Sequence, residues 1–215
     1  MTAAAGPCGT VLVRQPGADD WQALRDIRLA ALRDAGAFGS TYAREAAFGE
    51  ADWRRRIAGG GTFLAYLPEV SASEPAGLAG GYPERPGLVD FLSMYVRPTA
   101  RGRRVGEALV ASVIEWAGMR NAASVHLWVT EVNKPARLLY ERCGFTLTGE
   151  RQSLPSNLDL GEVGMAYPLW ARETGRWPGG GETWPSTACP IGRSPSTCLS
   201  PCPPWKPTCG TPSES

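Results

Sequence analysis

Residues 94–110, MYVRPTARGRRVGEALV, concentrate the residue types that hold anions. An apolar run ends at Val96, Pro98 breaks it, and the chain from Arg101 to Gly106 turns into a helical pattern. Such a turn presents several backbone N–H groups together with the positive end of a helix dipole, which is an anion-binding arrangement. Arg101, Arg103 and Arg104 add positive charge where phosphates would sit. Gly102 and Gly106 let a ligand approach the backbone closely. The nucleotide loops G-x-x-x-x-G-K-[ST] and G-x-G-x-x-G are both absent, the second because no middle glycine lies between Gly102 and Gly106. The competing reading is an ordinary strand-to-helix connection with solvated arginines.

A second segment, NKPARLLYERCGF, spans residues 133–145. Capping explains most of it: Asn133 as N-cap, Pro135 in the first turn, Gly144 as the C-terminal glycine and Phe145 in the core. Tyr140 is then a core aromatic with its hydroxyl at the edge. Capping does not explain why this string follows the first beyond one further strand.

Regular elements must carry these segments. Residues 11–14 alternate and read as a first strand. Asp19 or Asp20 N-caps a helix on which Leu24, Ile27, Arg28 and Ala31 recur, with Trp21 leading in. Residues 38–45, FGSTYARE, read as a loop. Glu50–Ala58 reads as a short helix ended by Gly59, Gly60 and Gly61. Strands are expected at 62–67 and 77–82. Leu88–Val96 is a near-continuous apolar run, as in a central strand buried on both faces. Residues 104–120 place Val105, Leu109, Val113 and Trp116 on one helical face. Residues 125–130 form a strand. A helix at 135–143 has Ala136, Leu139, Tyr140 and Cys143 on one stripe. Residues 146–151 and 162–168 close the sheet as a hairpin with a long loop. The strand–helix–strand unit implies a right-handed parallel crossover, and the helix-free joins after it imply a mixed sheet.

Composition bounds what surrounds this core. The chain has 215 residues, 43% hydrophobic and 20% charged, with net charge +1. That is a globular profile with room for one domain and an appendage. Near-neutral charge argues against nucleic acid as a partner. No apolar run approaches the ~20 residues of a membrane span. The start has no basic and no apolar signal region, so a cytoplasmic address and reduced cysteines are expected. One histidine excludes HExxH and multi-histidine metal sites, and no metal is expected. Residues 1–9 read as a flexible start and 10–170 as the domain. Residues 171–215, rich in Pro, Gly, Ser and Cys, read as a disordered tail. Cys189, Cys198, Cys202 and Cys209 lie in that tail without a CxxC pair, which leaves a zinc or partner site as a competing reading.

The two segments together resemble the GCN5-related N-acetyltransferase (GNAT) superfamily. RGRRVG is similar to its pyrophosphate loop, Q/R-x-x-G-x-G/A. VNKPARLLYERCGF matches every position of its second motif, N-x-x-A-x-x-L-Y-x-x-x-G-F. The resemblance covers residues 10–169. It implies an α/β fold with a mixed central sheet, two splayed parallel strands (88–96 and 125–130) and flanking helices. It implies acetyl-CoA as cosubstrate: the backbone of Met94, Tyr95 and Val96 pairs with the pantetheine arm, and the loop of Gly102, Arg103, Arg104, Val105, Gly106 and Glu107 holds the pyrophosphate beside Arg101. Asn133 bonds the arm as well, and Tyr140 is general acid on the leaving thiolate. The family usually has glycine where this chain has Arg104; the cradle survives here if Arg104 is helical and points outward.

The implied activity is transfer of an acetyl group to a primary amine by direct attack in a ternary complex. A strand N–H stabilises the oxyanion, positioning supplies much of the rate, and a base takes the amine proton. Where the family often has a glutamate this chain has Trp128. Glu131 is the candidate base, with Asp90 and His126 as further candidates. His126 otherwise reads as a hydrogen-bonded strand histidine, and Asp90 as a strand-start residue. The acceptor, a small-molecule or protein amine, enters opposite the donor between the segments 38–42 and 154–160, with Phe38 and Tyr42 as aromatic walls. These two otherwise pack the first helix on the sheet. A homodimer is allowed, dimers being common in the family. The alternative function is a non-catalytic acyl-CoA sensor or scaffold.

Overall fold

The computed structural model describes residues 10–34, 38–71 and 73–169. The expected flexible start and the cysteine-bearing tail lie outside the described residues. One seven-stranded sheet organises the rest, in the order β1-β2-β3-β4-β5-β7-β6. The strands are β1 (Leu12–Arg14), β2 (Thr62–Tyr66), β3 (Gly77–Arg85), β4 (Leu88–Val96), β5 (Ser124–Thr130), β6 (Thr146–Leu154) and β7 (Asn157–Pro168). All neighbours are antiparallel except β4 and β5. The helices are α1 (Trp21–Asp34), α2 (Tyr42–Ala46), α3 (Glu50–Ala58), α4 (Val105–Met119) and α5 (Lys134–Arg142).

The parallel pair follows from connectivity: α4 carries the chain from the end of β4 back to the start of β5, as a parallel crossover requires. Val105, Leu109, Val110, Val113 and Trp116 of α4 are buried against one face of the sheet with Phe63, Ala79, Val89, Phe91 and Val125. α4 sits very close to β3. A Cβ on Gly81 would stand 2.7 Å from the Trp116 ring, so only glycine fits there. On the opposite face, Leu24, Ile27 and Ala31 of α1 and Trp53 and Ile57 of α3 bury against Leu64, Leu78 and Tyr95.

Three expectations are corrected. The segment 38–45 is not all loop: the Thr41 hydroxyl accepts the Arg44 N–H at 3.3 Å and starts the single-turn helix α2. Neither Asp19 nor Asp20 caps α1 directly. The chain enters through a 3₁₀ turn, Ala18–Asp20, in which the Asp20 carboxylate accepts the Gly17 N–H at 2.7 Å. The last hairpin has no long loop either. Leu154 pairs with Asn157, so β6 and β7 meet at a two-residue connection, Pro155 and Ser156.

Candidate active site

The site is built where β4 and β5 part. Leu88, Val89 and Asp90 pair in parallel with Ser124, Val125 and His126, and there the pairing stops. Beyond it β4 pairs only with β3, while β5 continues along β7 to Thr130. A bulge separates the two strands: Ser93 takes φ 58°, and the β3–β4 register shifts between Leu78 and Gly80. The far half of β4, which includes Met94, Tyr95 and Val96, therefore has a backbone edge with no strand on it. Arg97 N–H donates to the carbonyl of Ala76, the residue before β3, so the Val96 carbonyl turns the other way, and Arg101 Nε donates to it at 3.3 Å. Because the strands are parallel, α4 and α5 both begin at the open end of this cleft.

The turn into α4 corrects one expectation. Arg104 is not in an ordinary helical conformation. It lies in the left-handed region, φ 62° and ψ 12°, as N-cap of α4, where glycine is favoured. The loop thus keeps a glycine-like backbone path at that position, and the Arg104 side chain is 77% exposed. Gly102 also has positive φ, 76°. Gly106 has a packing reason beyond ligand approach: a Cβ there would meet Leu139 of α5 at 2.9 Å and Met94 at 3.2 Å. The backbone N–H groups of residues 102–107 make no well-formed hydrogen bond to a described backbone carbonyl. Arg103 and Arg104 make loose ion pairs with Glu69 (3.5 Å) and Glu107 (3.3 Å), and Arg142 adds one to Glu107 at 3.6 Å. These amides sit at the N-terminus of a four-turn helix under basic side chains, which suits a polyanion.

Asn133 caps α5, its Oδ1 accepting the Ala136 N–H at 3.2 Å, so its side-chain NH₂ is left to donate elsewhere. At the far end Phe145 N–H bonds the Tyr140 carbonyl at 3.0 Å across Gly144, whose φ is 94°. Between these caps Tyr140 is 5% exposed. Its ring lies edge-on to Phe91, 5.8 Å between centroids, and tilted to Phe145 at 5.8 Å. Phe91 is the first β4 residue past the paired segment, so Tyr140 stands at the throat of the cleft. Burial, then the Cys143 thiol, push the phenol well above its usual range. The hydroxyl holds its proton at neutral pH.

The acidic candidates separate. Glu131 is in an ion pair with Arg151 of β6 and lies against Gly161 of β7, outside the cleft throat. His126 is 1% exposed and stands between two carboxylates. Its Nδ1 is 4.0 Å from Asp90 Oδ1 and its Nε2 is 3.4 Å from Glu150 Oε2. The expected hydrogen-bonded histidine is not what the structure shows at Nε2, which makes no hydrogen bond. Burial lowers the imidazole pKa against the opposing pull of Glu150, so it is neutral at pH 7. Asp90 is the third residue of β4, not its start; it pairs with His126 on one side and Tyr82 on the other. Trp128 packs edge-on to His126 at 5.2 Å. Glu150 is a participant that no sequence signal marked, because β6 reads as a polar strand.

The face covered by α1 holds a cavity of ≈ 210 Å³ reaching from Arg28 and Arg56 to Tyr82, Leu92 and Ser93. Phe38 and Tyr42 are not brought together as its walls. Phe38 stacks under the Arg28 guanidinium at 4.8 Å, and Tyr42 accepts a hydrogen bond from Arg33 at 2.5 Å. The two segments expected to frame the acceptor do meet, through a hydrogen bond from the Ser156 hydroxyl to the Phe38 carbonyl. Behind the cavity Glu45, 0% exposed, accepts Arg28 at 3.0 and 2.8 Å and Arg56 at 2.8 Å. Burial alone would raise the Glu45 carboxyl, but the two guanidiniums outweigh it and hold the pKa at about 2. Only the arginine on the apolar stripe of α1 hinted at this cluster in the sequence. Among the described residues no group of three His, Cys, Asp or Glu is arranged to hold a metal ion, and no helix is long and apolar enough to cross a membrane.

Comparison with known proteins bears on this geometry. Residues 21–145 match the family described as Acetyltransferase (GNAT) family. An uncharacterized N-acetyltransferase of Methanocaldococcus jannaschii is 39% identical over 62 residues, 29% of this chain and 27% of that protein. This chain thus matches little more than a quarter of that relative. A ribosomal-protein-alanine N-acetyltransferase from Brucella melitensis superposes with TM-score 0.59 at 22% identity, covering 73% of this chain and 99% of that one. A GNAT-superfamily phosphinothricin acetyltransferase from Sinorhizobium meliloti, in complex with acetyl-CoA, gives TM-score 0.60 at 20% identity, covering 74% and 89%. At these identities the likeness shows the fold.

Proposed function

Since the chain belongs to the acetyltransferase (GNAT) family, we propose that it transfers the acetyl group of acetyl-CoA to a primary amine by direct attack in a ternary complex. One observation carries this reading: β4 and β5 separate after Asp90 and His126, and the resulting cleft runs between a turn of undirected N–H groups and a buried, protonated tyrosine. Acetyl-CoA, when bound, supplies an activated acyl thioester. The N–H groups of residues 102–107 hold its diphosphate, with Arg101, Arg103 and Arg104 adding charge. The free edge of β4 at Met94, Tyr95 and Val96 pairs with the pantetheine arm, and Arg101 leaves the Val96 carbonyl to make room. Asn133 donates its side-chain NH₂ to the same arm.

The amine nitrogen attacks the thioester carbon, a β4 N–H stabilises the oxyanion, and the C–S bond breaks. Tyr140 donates a hydrogen bond to the departing sulfur, which leaves as the thiolate. A phenol raised by burial is a weaker acid than a thiol of pKa about 8.5, so Tyr140 acts by hydrogen-bonding the charge as it develops. The proton of the attacking amine passes to the Asp90–His126–Glu150 group, which lies on the acceptor side at the foot of the cleft. Glu131 is the other carboxylate in reach of the open end, through release from Arg151. Thiol release from acetyl-CoA against an amine panel tests the activity. Tyr140→Phe is expected to lower kcat by about 10²-fold, in line with general acid catalysis, with the acetyl-CoA Kd within about twofold. Unchanged kcat rejects the role. Saturable acetyl-CoA binding with no turnover for any amine favours the non-catalytic sensor. Asp90→Asn and Glu131→Gln separate the two bases by which one removes the acidic limb of the kcat/KM profile.

A further inference from the structure

The cavity on the α1 face is electrostatically lopsided. Arg28, Arg55 and Arg56 line it, and none of its lining residues is acidic. Arg55 is compensated outside by Asp52 at 2.9 Å. Arg28 and Arg56, with side chains 5% and 9% exposed, share the single carboxylate of Glu45. The buried cluster therefore carries an excess positive charge. Its N–H groups are also in excess: Arg28 Nη1 and Arg56 Nη2 are buried and have no hydrogen-bond partner. Buried guanidinium N–H groups without acceptors are costly, and water can accept the hydrogen bonds but does not neutralise the charge. An anion in the cavity supplies the missing countercharge. The other end of the cavity is Leu92 and Ser93, at the bulge where β4 leaves β5. Asp90 lies two residues before Leu92 and hence on the same face.

Resting on the acyl-transfer reading above, we propose that the acceptor is a small amine that also carries a carboxylate: Arg28 and Arg56 bind the carboxylate, and the amine lies beside Leu92 within reach of Asp90. The size agrees. A volume of ≈ 210 Å³ falls below the roughly 300–1,000 Å³ of drug-sized sites, which suits a small amine. Planar guanidiniums suit a carboxylate because they can meet it with two parallel N–H groups.

The test is a chain-length series of amino acids (glycine, β-alanine, γ-aminobutyrate and longer), each paired with its carboxamide, assayed for thiol release from acetyl-CoA. At least one pair is expected to favour the acid by tenfold or more in kcat/KM. In Arg56→Gln that preference falls to within about threefold of unity, in proportion to the charge-assisted bonds removed. The ratio is insensitive to partial unfolding, which lowers both members of a pair alike. Equal rates for acid and amide in the wild-type protein, or a preference that survives both Arg56→Gln and Arg28→Lys, overturn the inference while leaving acyl transfer standing. Calorimetry separates the two claims: no acetyl-CoA binding sinks the acyl-transfer reading itself. In that event the pocket is judged by thermal denaturation. Acids but not amides raising Tm in the wild type, and not in Arg56→Gln, support the anion site; no difference overturns it.

Discussion

Glu45 shows how one residue links three helices and a pH dependence. It sits on α2 and accepts hydrogen bonds from Arg28 on α1 and Arg56 on α3. Its folded pKa, about 2, lies below the ordinary 4.5. The stabilisation is thus complete above about pH 4.5 and lost as pH falls toward 2, roughly 3 kcal/mol in all. His126 acts in the same direction. Its folded pKa is depressed, so below about 6.5 the unfolded chain takes the proton first and stability falls. Glu162, raised by burial, opposes both in acid. The expected outcome is a urea midpoint that is flat between about pH 7 and 8, drops steadily from pH 6 to pH 3, and drops again in alkali, where burial raises Cys143, Tyr95 and Tyr140. Arg104 gives a second expectation at this scale. Relieving its left-handed strain with Arg104→Gly should raise stability by up to about 1 kcal/mol in urea unfolding, and Arg104→Val should lower it by more. Acetyl-CoA affinity should change little in the glycine variant, because the backbone and not this 77% exposed side chain forms the cradle. Neither feature could be read from residue types. Propensity assigns arginine to a right-handed conformation, and Arg28, Glu45 and Arg56 are too far apart in sequence to announce a cluster.

At the scale of elements, the close approach of α4 to β3 decides how much change the sheet tolerates. Gly81→Ala would drive a methyl into the rigid Trp116 ring, and should cost about 1–3 kcal/mol in chemical denaturation. Gly106→Ala meets only the flexible ends of Leu139 and Met94 and should cost less. The elements nearest the site were the most legible. β4 coincides with its apolar run, and Asn133, Pro135 and Gly144 marked α5 because capping chemistry is local. Elements whose signals are weak or non-local were not. α2 is a single turn announced only by Thr41, and the ends of β6 and β7 nearest their turn, 152–154 and 157–161, are mostly exposed and extend because they pair with each other. The divergence of β4 from β5 was implied by the family resemblance. Its local cause, the bulge at Ser93, has no signature in residue type.

For the whole molecule, the two buried clusters of the described residues run from Val11 to Leu169. A chain ending after Leu169 is expected to keep its unfolding midpoint and its acetyl-CoA affinity; loss of either would assign the Pro- and Cys-rich remainder a part in the fold. The gap between β4 and β5 has a kinetic corollary. It passes through the sheet, with the α4 and α5 N-termini on one side and the α1-face cavity on the other. Two reactants that arrive by separate doors need not wait for one another to leave. Initial rates with both concentrations varied should give intersecting double-reciprocal lines, and parallel lines would mean that a single doorway serves them in turn.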